Sequence, residues 1–171
     1  MLNEDRAAKA QLSLSKLAIL KPLDVSQVRR IGAVDVAYTQ NIGLVVYAET
    51  DFPSIANLRL VKGRYPVKIR YVSTFLGFRE GPLIINLMIN KVRELPDLLL
   101  VNGHGMAHPR RCGLATHVGI VLHLPTIGIS KRLIGDPEES LNRAFSRRVD
   151  RLYISPVSYT HLRAHETGRN L

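Results

Sequence analysis

A short apolar strand that leads directly into a polar loop constrains the fold of this chain more than any other feature. Residues 98–101 read Leu-Leu-Leu-Val and follow Pro96 and Asp97. Such a uniformly apolar run is typical of a strand covered on both faces in the middle of a parallel sheet. Residues 102–111 then read Asn-Gly-His-Gly-Met-Ala-His-Pro-Arg-Arg. Because ligands bind beyond the carboxyl ends of strands in open α/β sheets, the sequence predicts a functional loop here.

This loop offers hydrogen-bond donors that suit an anionic ligand. Gly103 and Gly105 would let backbone N–H groups approach a ligand closely. The side-chain donors suited to phosphate are His104, His108, Arg110 and Arg111. Any one of them could instead belong to an ordinary hydrophilic surface loop, but the whole cluster favours binding.

The composition indicates one soluble domain. A length of 171 residues is enough for one core, and no apolar run approaches the roughly 20 residues of a membrane span. The charged amino end does not resemble a signal peptide. Cys112 is the single cysteine, which excludes an internal disulfide and is compatible with a reducing cytoplasm. We therefore expect a cytoplasmic monomer.

The charge balance points to a polyanionic partner. A net charge of +10 favours nucleic acid, although a charge kept only for solubility is the alternative. In one stretch, cationic side chains alternate with aromatic rings. This pattern is typical of a surface that binds single-stranded nucleic acid, but a solvent-exposed hairpin would show it as well. Its members are Lys62, Arg64, Tyr65, Lys68, Arg70 and Tyr71.

The amino-terminal half predicts a helix and then antiparallel strands. Asn3 is a suitable N-cap for a helix that runs to about Leu20. The predicted strands span residues 31–38, 44–49, 54–62 and 67–71, and a turn at residues 41–43 makes the first two a hairpin.

The second half alternates helices and strands. Glu80 and Pro82 predict the first turn of a helix that continues to Pro96. Further predictions are a helix over 112–123, a strand over 125–130, a helix over 138–149 and a strand over 152–155. We therefore expect one α/β domain over residues 1–155, with a mixed sheet of antiparallel hairpin strands and parallel strands flanked by helices. Residues 156–171 lack a sustained period and are predicted to be a disordered or non-native tail.

Oxygen-bearing side chains lie in or beside several of these elements. Asp35 and Glu80 are carboxylates, and Mg²⁺ usually binds one or two carboxylates with water and a substrate phosphate. Asn102 ends the central strand, and Lys131 follows the next strand, where it could hold a phosphate. Each also has a structural interpretation: Asp35 could pair with an arginine, Glu80 could only favour its helix, and Lys131 could be a surface residue.

Other kinds of site are less well supported. His104 and His108 have a spacing found in zinc sites, but Gly105 and Pro109 argue against the helix that would align both rings. Cys112 could act as a thiol nucleophile, but nothing in the sequence supplies the group that would orient its base.

Four motifs in order resemble the endonuclease V family over roughly residues 31–135. They are Val34-Asp-Val-Ala-Tyr38, Tyr71 followed by Phe78-Arg-Glu-Gly-Pro82, the segment 99–111, and Pro125-Thr-Ile-Gly-Ile-Ser-Lys131. The resemblance implies a ribonuclease-H-like fold and Mg²⁺-dependent cleavage, with Mn²⁺ as a substitute ion. It implies cutting at the second phosphodiester bond 3′ to deoxyinosine, which leaves a 3′-hydroxyl and a 5′-phosphate. Some relatives prefer inosine in RNA.

The resemblance also implies roles for individual residues. Asp35, Glu80 and Asn102 occupy the metal-ligand positions, and Lys131 is the catalytic lysine on the phosphate side. Tyr71 matches the wedge that fills the gap left when the lesion base is flipped out of the helix. The other expected substrate-binding residues are Arg79, Gly103, His104, Gly105 and His108.

Three departures from the family pattern concern this site. Asn102 stands where the family has Asp, so one anionic ligand becomes a neutral amide and Mg²⁺ affinity should fall. Ser73 replaces a proline, which makes the wedge less rigid. The family continues past Pro156 into a segment with a further metal-site histidine, and nothing in the pattern assigns that role to His161 or His165.

Two alternatives remain open. A nucleic-acid-binding protein that recognises inosine without cutting would keep the basic surface, Tyr71 and the glycine loop. The second alternative is a different metal nuclease of the same fold, which acts for example on branched DNA.

Overall fold

A computed structural model describes residues 2–135, 147–149 and 152–158. Within these ranges the chain forms a seven-stranded sheet, in the order β3-β2-β1-β4-β5-β7-β6, with three α-helices. The helices are α1 Glu4–Ser15, α2 Leu76–Lys91 and α3 Leu114–Leu122. The strands are β1 Arg30–Thr39, β2 Ile42–Asp51, β3 Arg59–Pro66, β4 Leu98–Asn102, β5 Thr126–Ser130, β6 Arg147–Val149 and β7 Leu152–Ser158.

The sheet is mixed, as predicted. Strands β1, β2 and β3 form an antiparallel meander that begins with the predicted hairpin. Strands β1, β4 and β5 are parallel, and α2 and α3 make the connections between them. Strand β7 pairs antiparallel with β5. The ribonuclease-H-like architecture of antiparallel and parallel strands flanked by helices is confirmed.

The main hydrophobic core lies on the face of the sheet covered by α2 and α3. Apolar side chains of alternate strand positions, such as Val34 and Leu99, pack there against Leu87 and Met88 of α2. The opposite face is more open, and Val46 of β2 is 44% exposed on it. Leu100 lies on this second face and is only partly buried, so the prediction that β4 is covered on both faces is wrong at that residue.

Helix α1 begins as predicted but is shorter. The side chain of Asn3 accepts a hydrogen bond of 3.0 Å from the backbone N–H of Arg6, which satisfies one donor of the first turn. The helix ends at Ser15, five residues before the predicted end.

Two predicted strands are misplaced. Strand β3 begins at Arg59 rather than at residue 54, because Ile55 and Asn57 have positive φ angles of 51° and 56° that an extended strand cannot contain. Residues 67–71 form no strand. Strand β2 begins at Ile42, which already pairs with Pro66. Val67 still donates to the carbonyl of Asn41 at 2.8 Å, but Asn41 lies in the turn before β2, so the pairing does not continue as a strand.

Helix α2 begins at Leu76, four residues before Glu80. Glu80 and Pro82 therefore lie in the second turn, and the prediction of a helix start at these residues is wrong. The first turn is held by packing, since Phe75 and Gly77 are buried, and this packing outweighs the signal from the proline. The proposed stabilisation of Glu80 by the helix end consequently does not apply.

The carboxyl-terminal predictions are tested only in part. Residues 136–146 of the predicted last helix lie outside the described residues, while residues 147–149 are strand β6, so the helix prediction is wrong there. The predicted strand at 152–155 is confirmed and continues to Ser158, three residues into the predicted tail. Residues 159–171, with His161 and His165, lie outside the described ranges. In the described part of the chain, every helix is too short or too polar to cross a membrane.

Candidate active site

The end of the parallel pairing between β1 and β4 brings Asp35 and Asn102 together. The register pairs Val34 with Val101, so the next residue on each strand lies side by side with its counterpart. The Asn102 side-chain amide donates a hydrogen bond of 2.8 Å to Asp35 Oδ1. The backbone N–H of Val36 also donates to Oδ1, at 2.8 Å. Both hydrogen bonds fall on one oxygen of the carboxylate, so they leave the acceptor capacity of Oδ2 unused.

Glu80 approaches this place from helix α2. Its carboxylate is buried and accepts a hydrogen bond of 2.8 Å from the Tyr38 hydroxyl. Burial raises the pKa of Glu80 to about 7, and the negative charge of Asp35 raises this pKa as well. The hydrogen bond from Tyr38 and the charge of Arg79 oppose the increase. The influence of Asp35 shows that the two carboxylates share one electrostatic environment.

Asp35 and Glu80 come from different faces of the sheet. Asp35 is exposed on the open face, whereas Glu80 lies on the helix-covered side next to Tyr38. Strand β4 ends at Asn102, while β1 continues past Asp35 to Tyr38, whose hydroxyl contacts Glu80. That the two carboxylates share a cation beside the loop after β4 stays a prediction.

The donor atoms suit a hard divalent cation. In the described ranges, no three side chains of the types His, Cys, Asp and Glu form a metal-binding group. The candidate site instead combines two carboxylates with the amide oxygen of Asn102, and all three supply oxygen, as Mg²⁺ prefers. We conclude that Asp35, Glu80 and Asn102 offer oxygen donors of the kind that a hard divalent cation binds.

Lys131 directly follows β5, the strand that pairs with β4. Ile129 pairs with Asn102, so Lys131 lies two residues beyond this rung, and its side chain is exposed. A flexible ammonium at this position can reach a phosphate that lies over the end of β4.

A cavity of about 280 Å³ lies between the start of α2 and the loop after β4, and three of the expected substrate-binding residues line it. They are Tyr71, His104 and His108, and the lining also includes Ser73 and Thr74. Tyr71 is 65% exposed at its rim. The cavity has the size and the mixed apolar and polar lining that a flipped nucleobase needs.

Both histidines of the loop have partners in the protein. His104 Nε2 lies 2.6 Å from the carbonyl oxygen of Arg132, and burial lowers the pKa of this histidine, although the hydrogen bond opposes the change. His108 Nε2 lies 2.8 Å from the Thr74 carbonyl oxygen, and His108 Nδ1 accepts from the backbone N–H of Arg110 at 3.1 Å. His108 therefore orders the cavity wall.

Gly103 and Gly105 permit close packing of the loop. Both are buried, and the N–H of Gly103 donates to the carbonyl of Ile129 at 2.8 Å, so it does not point at a ligand as expected. Two glycines that the sequence reasoning missed hold the same loop. A Cβ atom on Gly113 would collide with the carbonyl of His104, and one on Gly128 would lie 2.5 Å from the carbonyl oxygen of Gly103.

Arg79 links the Tyr71 region to the carboxylates. Its guanidinium donates to the carbonyl of Ile69 and lies 4.3 Å from the centre of the Tyr38 ring. Arg79 thus holds the residues before Tyr71 against the part of β1 that contacts Glu80. Tyr38 was also missed as a site residue, although its position three residues after Asp35 on an exposed strand end was a usable signal.

The thiol of Cys112 is unsuited to nucleophilic chemistry. It is fully buried, and burial raises its pKa to about 12, so it stays protonated at neutral pH.

Comparison with known sequences identifies close similarity to one group of proteins. A family model described as Endonuclease V matches residues 13–165. Endonuclease V of Thermococcus kodakarensis is 42% identical over 134 residues, which cover 77% of this chain and 66% of that protein. Endonuclease V of Pyrococcus abyssi is 39% identical over 152 residues, which cover 88% of this chain and 73% of that protein. The chain spans less of some relatives, such as 48% of the Roseiflexus sp. protein.

Solved structures show the same fold. Endonuclease V of Bacillus subtilis superimposes with a TM-score of 0.78 at 26% identity, over 95% of this chain and 79% of that one. Ciona intestinalis endonuclease V carrying D234N, in complex with a 23mer DNA that contains an inosine followed by a ribo-adenosine, gives a TM-score of 0.74. Its identity is 21%, and the match covers 94% of this chain and 84% of that one.

Proposed function

Because this chain belongs to the endonuclease V family, we propose that it is a metal-dependent endonuclease that cleaves nucleic acid beside inosine. One observation carries this proposal: Asn102 donates a hydrogen bond to Asp35, whose charge acts on the buried carboxylate of Glu80. A cavity lined by Tyr71 also includes Gly77, three residues before Glu80, and His104, two residues after Asn102. The arrangement combines oxygen donors for a cation with space for a displaced base.

The proposed substrate is DNA that contains deoxyinosine, and inosine in RNA is the other candidate. The proposed cut is at the second phosphodiester bond 3′ to the lesion, with a 3′-hydroxyl and a 5′-phosphate as products. The DNA in the Ciona complex contains an inosine, which supports this choice of substrate. A net charge of +10 supports a nucleic-acid partner.

The proposed mechanism assigns distinct tasks to the residues of the site. Asp35, Glu80 and Asn102 would hold Mg²⁺, for which Mn²⁺ could substitute, and the bound ion would supply Lewis acidity at the scissile phosphate. Lys131 would bind a phosphate oxygen and neutralise part of its charge. Tyr71 would fill the space of the extruded base, which His104 and other lining residues would enclose.

Location and assembly are also part of the proposal. Cys112 is buried and lacks a cysteine partner in the sequence, which supports the reducing environment of the cytoplasm. We expect a monomer, since the candidate site is built from one chain.

One feature favours a second candidate, an inosine-binding protein without cleavage activity. The amide N–H of Asn102 contacts Asp35 at the position where the family resemblance implies a third carboxylate. An uncharged residue there weakens cation binding but leaves the cavity and the basic surface unchanged.

A cleavage assay separates these functions. The chain is incubated with matched oligonucleotides that contain inosine or adenosine, in Mg²⁺, Mn²⁺ or EDTA, and the cut position is mapped. The endonuclease proposal predicts cation-dependent cutting 3′ to inosine that Asp35→Asn abolishes. Retention of the inosine oligonucleotide without cutting would support the binding protein, and cutting independent of inosine would point to another nuclease of this fold.

Replacement of Tyr71 tests the wedge role. Tyr71→Ala should reduce the preference for inosine more than it reduces binding of undamaged nucleic acid, because loss of a stacking ring costs about 1–3 kcal/mol. Tyr71→Phe keeps the ring and serves as the control. Equal discrimination by all three proteins in a competition binding assay would exclude the wedge role.

A further inference from the structure

Thr74 has an unusual backbone conformation next to the cavity. Its φ angle is +69°, in the left-handed region that β-branched residues rarely adopt. Such a conformation persists only where surrounding contacts determine it. The residue lies between exposed Tyr71 and Leu76, the first residue of α2. Its conformation therefore sets the path of the chain from the proposed wedge to the helix that carries Glu80.

Three side chains converge on the carbonyl oxygen of Thr74. Gln11 Nε2 donates at 2.9 Å and Arg110 Nη2 at 3.2 Å, and His108 Nε2 lies at 2.8 Å. Because His108 Nδ1 accepts from the N–H of Arg110, the ring proton is assigned to Nε2, which donates to Thr74. Arg110 also donates to the Thr74 hydroxyl. A carbonyl oxygen normally accepts two hydrogen bonds, so this one is saturated.

The three donors are themselves fixed in the fold. Gln11 of α1 is 1% exposed and His108 is 2% exposed. Gln11 also donates to the carbonyl of Cys112 at 3.0 Å and accepts from Arg110 Nε at 2.6 Å. The guanidinium of Arg110 lies 4.5 Å from the centre of the Phe75 ring. Helix α1 and the loop after β4 are thereby joined to residues 71–75.

We propose that Gln11, His108 and Arg110 form a clamp on Thr74 that positions Tyr71 for lesion recognition, with Gln11 as a positioning residue contributed by α1. This inference rests on the proposed function. In the free protein the clamp holds residues 71–75 in the conformation that binding requires. The conformational entropy of this segment is therefore lost on folding rather than on binding of nucleic acid. Gln11 acts on Tyr71 indirectly, through its hydrogen bonds to Thr74 and Arg110.

Mobility at position 71 gives the first test. The chain contains no tryptophan, so Tyr71→Trp introduces a fluorophore that reports on this position alone. In that background, Gln11→Met keeps the side-chain volume but removes the two amide donations and the acceptor for Arg110. In the time-resolved anisotropy decay of the indole, the fast component should then have a larger amplitude and the slow component a smaller one. Thr126→Val is the control, because it removes a buried hydrogen bond, to the carbonyl of Ala115, that involves no clamp residue.

Thr74→Gly is the second variant, and it separates positioning from stability. Glycine adopts a φ of +69° without strain, so the melting temperature should stay the same or rise, while mobility at position 71 increases. A residue with only a structural role would not give this combination. Unchanged anisotropy in both Gln11→Met and Thr74→Gly, or the same change in Thr126→Val, would overturn the proposal.

The reaction gives an independent measurement in the chain with Tyr71 restored. Gln11→Met should lower the preference for inosine over adenosine oligonucleotides about tenfold, mainly through weaker binding, because misplacement of a recognition group costs at least this much. If the parent chain shows no preference for inosine, the proposed function fails, while the anisotropy measurements still decide whether the clamp exists.

Discussion

Asn102 places an uncharged amide in the proposed cation site, where the family resemblance implies a third carboxylate. Its N–H group donates to Asp35, so the present residue stabilises the metal-free protein. Asn102→Asp would replace this hydrogen bond with repulsion between carboxylates. In EDTA, the free energy of unfolding should therefore fall by about 1–2 kcal/mol.

The same substitution should have the opposite effect once a cation binds. Asn102→Asp adds a charged ligand, so Mg²⁺ should raise the melting temperature of the variant more than that of the parent, and cleavage beside inosine should become faster. Asn90→Asp on the exposed side of α2 is the control for added charge. Equal thermal shifts and rates in the parent and variant would show that residue 102 is not a limiting ligand.

Glu80 should make stability depend on pH in the absence of metal. Burial raises its pKa to about 7, against 4.5 in the unfolded chain, so the folded protein keeps this proton where the unfolded chain has lost it. Between these pH values the free energy of unfolding therefore falls as pH rises, by up to about 3 kcal/mol. Below pH 4 or above pH 8 this group contributes no further change.

Urea unfolding of Glu80→Gln in EDTA measures this contribution. The variant should lose the decrease between pH 4.5 and 7 and be more stable than the parent at pH 8, although it should no longer cut. Glu94→Gln, whose side chain is 68% exposed, is the control. If the free energy of unfolding of Glu80→Gln fell with pH as much as that of the parent, the pH dependence would belong to other groups.

Among the structural elements, the loop after β4 depends most on glycine. A Cβ atom at Gly128 would lie 2.5 Å from the carbonyl oxygen of Gly103 and would also collide with the backbone nitrogen of Gly105. Because backbone atoms cannot move aside, Gly128→Ala should lower the free energy of unfolding by about 1–3 kcal/mol. It should also displace His104 at the cavity and slow cleavage.

Gly81→Ala is the matched comparison. A Cβ atom there meets only the ring of His117, at 3.9 Å, which is an ordinary contact. Alanine favours the helix over glycine by about 1 kcal/mol, so stability should stay the same or increase. Similar destabilisation of both variants in urea titrations would contradict the assignment of Gly128 to the loop.

Sequence patterns predicted the elements whose signals are local. The apolar run of β4, the strand predicted at residues 31–38 and the Asn3 cap each depend on neighbouring residues, and all three are present. The contact between Asp35 and Asn102 followed from the rule that the ends of parallel strands share one edge, together with the family resemblance. The start of α2 was wrong because packing around Phe75 outweighed the signal from Pro82.

Contacts between distant positions could not be predicted. Gln11 lies 63 residues before Thr74 and 101 before Cys112, and nothing in its own helix marks it as a buried donor. Gly113 and Gly128 are similar cases. Glycine is required at each position because backbone from another part of the chain occupies the space where a Cβ atom would lie.

For the molecule as a whole, the positive charge predicts salt-sensitive binding. Lys68 and Arg70 are exposed next to Tyr71. Replacing both with Gln should weaken binding of inosine and adenosine oligonucleotides equally, and should reduce the slope of log K against log salt by about 1.5–2. Arg6→Gln with Lys9→Gln removes the same charge from exposed positions on α1 and should change the slope less. Equal slopes for both double variants would indicate a diffuse field rather than local phosphate contacts.

The parallel pairing of β1 with β4 also has a consequence for the order of folding. Asp35 and Asn102 are 67 residues apart, and α2 lies between their strands. The β1–β2 hairpin can form from local contacts, whereas β4 must dock after a long segment has closed, which slows folding of such topologies. We therefore expect a refolding chain to form the hairpin before the proposed cation site is complete, so that ion binding would report completion of the central sheet.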